Sequence, residues 1–185
     1  AKQIVVTLAN ADADQMLAVL YEKNEREILA GAIAAAKISG ADSYVIILPE
    51  KMNPESAEKI KKAADEMRIA ENLKIIYGSC VKTAYKNDVI LHPLTCVKIT
   101  ALLAGEDADF CLVSTDGKEP VKVPYGTKIG DLVQSSKALR IGNHLYGLSV
   151  LDKKLGTEIS EENGVLESVS DTQCVVNLVQ RMIHT

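Results

Sequence analysis

The sequence predicts an α/β chain, an open and mostly parallel sheet with flanking helices, followed by a smaller α+β unit and a C-terminal helix. Three observations predict it. Short β-prone runs alternate with amphipathic helical patterns through roughly the first hundred residues, the signature of parallel strands joined by helical crossovers. An Asp-Gly turn between two alternating strands then opens a different pattern after Glu106. Finally, 47% of residues are hydrophobic, 25% are charged, only 4% are aromatic and Trp is absent, which describes a globular chain with an aliphatic core. Its 185 residues suffice for one compact domain, or one with a small appendage.

Ile4 to Leu8 reads as a buried strand, and the polar stretch Asn10-Ala11-Asp12-Ala13-Asp14 as the loop at its carboxyl end. Asn24 with Glu27 three residues on is a capping-box variant, and Ile28, Leu29, Ala32, Ile33 and Ala36 recur at helical spacing up to Gly40, a left-handed stop. Tyr44 to Leu48 is continuously apolar, as a central parallel strand requires. Asn53-Pro54 then places a cap and a first-turn proline before Ala57, Ile60, Ala64 and Met67, one apolar helical face. Its charged residues, with Glu58 and Lys62 four apart, read as a solvated face. Leu73 to Tyr77 is a third strand ending at Gly78-Ser79, and Leu94 to Ala104 a further helix closed by Gly105.

Beyond Glu106, Phe110 to Ser114 and Val121 to Val123 form a hairpin around Asp116-Gly117. Thr127 caps a short helix from Lys128 to Ser135, and two strands follow near Leu139 to Ile141 and Leu145 to Leu151. This order, β-β-α-β-β, resembles a β-grasp unit. A last strand, Gly164 to Val169, leads into a helix carrying Val175, Leu178, Val179 and Met182 on one face. The expected division is therefore residues 1–105, an α/β core; 106–160, the β-grasp unit; and 161–185, a strand and helix packing back on the α/β core.

Composition excludes several function classes. Twenty-one Lys and Arg against 25 Asp and Glu leave a net charge of -4, too acidic to hold a phosphate backbone over the whole surface, and stacking aromatics are scarce. Nucleic acid is not an expected partner. No apolar run approaches the roughly 18 residues needed to cross a bilayer, and no leader or cleavage pattern opens the chain, so the expectation is a cytoplasmic protein with no membrane span. Cys80, Cys96, Cys111 and Cys174 are too widely spaced for a zinc or iron-sulfur ligand run and read as reduced, mostly buried thiols. His92, His144 and His184 are scattered without metal spacing, so no metal is assigned.

Asn10-Ala11-Asp12, the helix from Glu25 to Gly40 with its Ala30-Gly31-Ala32-Ile33-Ala34 run, and the strand after it resemble the flavin-domain core of the NADH-binding flavoprotein subunit of respiratory complex I and the related C subunit of Rnf-type complexes. The segment Val123 to Val133, with Pro124-Tyr125-Gly126-Thr127 at its turn, is similar to the opening of that family's soluble-ligand-binding β-grasp (SLBB) domain. Leu94 to Leu102 resembles its Asn-Asn-Val-Glu-Thr-Leu segment, Ile141 to Gly147 the glycine-rich hairpin of the Rnf-type subunit, and Asp171 to Ile183 its helix leading toward the cluster domain. The resemblance spans nearly the whole chain.

It implies FMN as the cofactor, with Asn10 and Asp12 as polar contacts and Gly78 and Ser79 as a close backbone approach. It also implies other subunits of an electron-transfer complex as partners, with a homo-oligomer left open. The departures set its limits. Ala13 stands where the family has an acid, and Gly78-Ser79-Cys80-Val81 replaces a Gly-Glu-Glu pair that meets flavin and nicotinamide, so NAD contacts are not carried over. The family's glycine-rich phosphate loop and its Cys-x-x-Cys cluster motif fall outside these residues, so FMN contact is expected to be weak or lost and no iron-sulfur cluster is expected in this chain. Two readings follow. One is an accessory or degenerate subunit of an NADH dehydrogenase-like complex, an NADH:acceptor oxidoreductase if active, in which no residue is assigned a catalytic role. The other is a non-catalytic binding or scaffold module that docks a partner protein or soluble ligand through its β-grasp half.

Overall fold

The computed structural model describes residues 3–9, 22–50, 54–78, 85, 87–161, 164–170, 176, 179 and 180. The described residues divide into two compact units, the first running to Ala108 and the second from Asp109.

The first unit is built on a four-stranded parallel sheet in the order β3-β2-β1-β4. Its strands are β1 (Gln3–Thr7), β2 (Ser43–Leu48), β3 (Leu73–Tyr77) and β4 (Val89–Leu91), and its helices α1 (Glu25–Ser39), α2 (Pro54–Glu66) and α3 (Pro93–Leu103). The central strands are apolar on both faces because both are buried. Val5, Val45 and Ile47 join Ile76, Ile90 and Tyr85 in one cluster, while the alternate residues Ile4, Val6, Ile46 and Leu48 are also buried. Register follows from that pattern, with Val5 opposite both Val45 and Ile90, and Ile47 opposite Ile76.

Helix α1 packs against both α2 and α3. Its crossing with α3 is close because residue 31 has no side chain: a Cβ there would lie 2.1 Å from the Cys96 carbonyl oxygen. The Thr100 hydroxyl completes the contact by donating to the Glu27 carbonyl at 2.7 Å. Gly40 ends α1 in the left-handed region at φ 67°. At the other end the expected capping box does not form. Asn24 sits at φ -113°, ψ 25°, away from the extended geometry that aims a cap, and contributes its carbonyl to Ile28 without a side-chain cap bond.

The second unit is a five-stranded mixed sheet, β6-β5-β9-β7-β8. It comprises β5 (Phe110–Thr115), β6 (Val121–Pro124), a single-turn helix α4 (Ile129–Leu132), β7 (Ala138–Ile141), β8 (His144–Tyr146) and β9 (Val165–Val169). Two antiparallel pairs, β5 with β6 and β7 with β8, flank β9, which runs parallel to β5 and antiparallel to β7. With β9 at its centre this is a β-grasp order, although the β-β-α-β-β unit expected over residues 106–160 did not include that strand. The Asp-Gly turn closes as predicted: Lys118 N–H donates to the Thr115 carbonyl at 2.9 Å, with Asp116 and Gly117 both at positive φ. Cys111, Val113, Leu139, Ile141 and Leu166 pack on Ile129, Val133, Val150 and Leu155 to make the core.

Three expectations are corrected here. Residues 165–169, expected as part of a segment packing back on the α/β core, form the central strand of this second sheet, because β5 and β7 each leave an edge open and Leu166 fills the core between them. The strand expected over 145–151 stops at Tyr146. Gly147 breaks it, and a 3₁₀ turn over Leu148–Asp152 follows that buries Val150. Thr127 does not cap a helix: its hydroxyl donates to the Pro124 carbonyl at 2.7 Å, and one helical turn follows Lys128. Most of the helix expected over 171–183 lies outside the described residues.

Candidate functional site

Because all four strands of the first sheet run the same way, their carboxyl ends meet along one edge, where open α/β sheets bind ligands. At β1, Leu8 N–H extends the ladder to the Ile47 carbonyl at 2.8 Å, and the Thr7 hydroxyl donates to the Ala9 carbonyl at 2.7 Å, turning the chain off the strand. At β2, Pro49 has no N–H to continue the ladder, and the exposed Glu50 follows. At β3, Gly78 N–H donates to the Leu48 carbonyl at 3.0 Å. Gly78 stands at φ +141°, a conformation that side chains rarely adopt. A Cβ added there would lie 3.9 Å from the Glu50 Oε1 atom.

Fourth along the edge is His92, which ends β4 and opens α3. Its Nδ1 accepts the Leu94 N–H at 3.2 Å, so this nitrogen serves as a helix cap and Pro93 takes the first helical position. That accounts for His92-Pro93 structurally.

The edge therefore presents, in spatial order, Gly78 from β3, Glu50 from β2, Ala9 from β1 and His92 from β4. Neighbouring strands are about 4.8 Å apart, so the ends of β3 and β1 are separated by about 10 Å with β2 between them. Of the four site residues read from the sequence, Gly78 is at this edge; Asn10, Asp12 and Ser79 lie outside the described residues. Asn10 directly follows Ala9, which is buried at the same edge. Glu50, at the same edge, is not among the residues singled out by the sequence. The signal that could have found it is an acidic residue just past the second strand of a β-α-β unit.

A second concavity, about 380 Å³, lies between the start of α1 and the flank of α2. Two of its cations are paired: Arg26 with Glu66, while Lys59 lies 3.5 Å from Glu22. Partial burial raises the Glu25 carboxyl above its usual range. On α2, Glu58 pairs with Lys61 at 2.6 Å instead of the expected Lys62. These are solvated ion pairs of the kind that stabilise little.

Among the described residues no group of His, Cys, Asp and Glu is placed to hold a metal ion, and no helix is long and apolar enough to cross a membrane. Cys96 and Cys111 are buried and unbridged, and burial pushes the Cys96 thiol up to about 12. Cys80 and Cys174 lie outside the described residues.

No protein-family model matches the chain, and no curated protein matches it. Solved structures do. The fold is similar to that of NAD+-reducing [NiFe]-hydrogenase in its air-oxidized state, with a TM-score of 0.72 at 17% identity over 97% of this chain. For the same enzyme in its H2-reduced state the TM-score is 0.73 at 18% identity over 98% of this chain. The chain spans 42% and 43% of the length of those two chains. The likeness establishes a shared fold that includes both units.

Proposed function

We propose that this chain is an accessory or degenerate subunit of an NADH dehydrogenase-like electron-transfer complex, of the complex I flavoprotein and Rnf C kind, that retains contact with FMN. The observation that carries this reading is the joint occurrence of two units: a β3-β2-β1-β4 parallel sheet and a β6-β5-β9-β7-β8 β-grasp sheet in one chain, matched over 97% of its length by an enzyme that reduces NAD+. The second unit is read as an SLBB domain on the Val123 to Val133 segment, which forms β6 and α4.

The flavin lies, on this reading, along the carboxyl edge of the parallel sheet, with Asn10 and Asp12 as polar contacts and Gly78 and Ser79 as the close backbone approach. Gly78 suits that role, since φ +141° is a conformation that side chains rarely adopt and, among the described residues, the Glu50 Oε1 atom is the one neighbour within 4 Å of the position an added Cβ would take, at 3.9 Å. Bound flavin would supply hydride and electron chemistry, and the chain's residues would position it and exclude water. Other subunits of the complex are the proposed partners, and the proposed compartment is the cytoplasm.

Titration of the purified chain with FMN, followed by flavin fluorescence, tests the reading, with flavin bleaching by NADH as a second readout. Saturable quenching is expected. A chain that leaves FMN fluorescence unchanged refutes the flavin reading. It would favour instead a non-catalytic binding or scaffold module acting through the β-grasp unit, for which the replacement of the family's acidic pair by Ser79-Cys80 already speaks. An Asn10→Ala, Asp12→Ala variant should lose FMN; full retention removes both residues from the site.

A further inference from the structure

We propose that Glu50 recognises hydroxyl groups at the carboxyl-edge site, its carboxylate accepting hydrogen bonds from neighbouring hydroxyls of the ribityl chain of a bound flavin. The inference rests on the flavin reading above and assigns that site a residue the reading does not contain. Its basis is placement. Glu50 follows the end of β2, between the strand that delivers Ala9 to the edge and the strand that delivers Gly78. Its Oε1 lies 3.9 Å from where a Gly78 Cβ would be, so the carboxylate stands beside the one residue of the proposed flavin site that is described. Glu50 is exposed, and among the described residues no cation or hydrogen-bond donor meets it.

The chemistry selects the ligand group. An ionised carboxylate is acceptor-only with two oxygens, which suits two adjacent hydroxyl donors. In open α/β sheets a carboxylate near the end of the second strand takes sugar hydroxyls in this way. A phosphate is the wrong partner, because two anions would repel. A sugar-like chain lying beside Gly78 therefore fits this carboxylate better than the phosphate does.

Three flavins separate these groups: FMN, riboflavin without the phosphate, and lumiflavin without the ribityl chain. Glu50→Gln removes the charge at constant shape on an exposed side chain, and circular dichroism checks that the variant stays folded. The expected result is a loss of about tenfold in affinity for both FMN and riboflavin, the size of one or two hydrogen bonds to a charged acceptor, with lumiflavin unchanged. Equal riboflavin affinity in wild type and variant overturns the assignment while leaving the flavin reading intact. So does an equal loss for all three flavins, which would place Glu50 against the ring. A gain confined to FMN would place it against the phosphate and overturn the assignment as well. If the wild-type chain binds none of the three, the assignment falls together with the flavin reading.

Discussion

Gly31→Ala tests how closely α1 and α3 are packed. In an isolated helix this change stabilises by about 1 kcal/mol, because alanine is the best helix former and glycine among the worst. Here the new Cβ would lie 2.1 Å from the Cys96 carbonyl oxygen and 2.6 Å from the Cys96 carbonyl carbon and Cα, all backbone atoms that cannot rotate away. Ordinary contact begins near 3.4 Å, so the helices must separate locally by 3.4 - 2.1 = 1.3 Å. The same displacement, directed along the Thr100 to Glu27 hydrogen bond, would stretch it from 2.7 Å beyond bonding range and cost about 1 kcal/mol. Overpacking of this kind costs about 1 to 3 kcal/mol. Setting the propensity gain against the lost bond leaves a net destabilisation of about 1 to 3 kcal/mol. Urea unfolding followed by circular dichroism at 222 nm reads it as a lower midpoint at unchanged slope. A variant as stable as wild type, or more stable, would show that the two helices do not meet at Gly31.

Two further outcomes follow from buried groups. The Arg140 guanidinium, fully buried on β7, pairs with Glu167 directly opposite on β9 at 2.9 Å and donates from Nε to the Gly142 carbonyl. Glu167→Gln should therefore cost up to about 3 kcal/mol, and Glu167→Leu with Arg140→Met should recover most of it; a double-mutant cycle in urea showing no coupling would mean the pair does not hold β9 in register. Cys96, whose thiol is pushed up to about 12 by burial from a usual 9.0, keeps its proton in the fold at pH values where the unfolded chain has lost it. The stability this contributes is complete below pH 9 and is lost as pH rises toward 12, by at most about 1.4 kcal/mol per pH unit. In peptide-resolved mass spectrometry at pH 8 the Cys96 peptide should stay free of iodoacetamide in the native protein and label in urea; rapid native labelling would show the thiol is not buried.

The elements legible in the sequence are those whose signal is local. The sequence places β1, β2 and β3 each within one residue of their observed limits, since an unbroken run such as Tyr44 to Leu48 suits only a strand buried on both faces. Gly40, Pro54 and the Asp116-Gly117 turn were equally readable, because the backbone geometry at each is set by the residue itself. β4 is not legible as a strand. Three residues, Val89–Leu91, are too few to show a period, and they become a strand only by pairing with β1, more than eighty positions earlier. Likewise nothing near Gly164 indicates that the strand after it enters the second sheet; that depends on the edges of β5 and β7. Of the candidate site, the sequence pointed to the end of β3 at Gly78. It did not single out Glu50, since a polar residue after a strand looks the same whether it ends a turn or faces a ligand.

From its sequence alone, then, this protein's alternating strands and helices, its two successive folding patterns and its mild negative charge were determined. Periodicity, turn chemistry and charge are expressed within a few residues of one another. Only the tertiary structure decided the strand orders β3-β2-β1-β4 and β6-β5-β9-β7-β8, the seating of α3 on Gly31, and the approach of Glu50 to Gly78. Each of these joins residues far apart in the chain, and its energy exists only once both surfaces have left water and met.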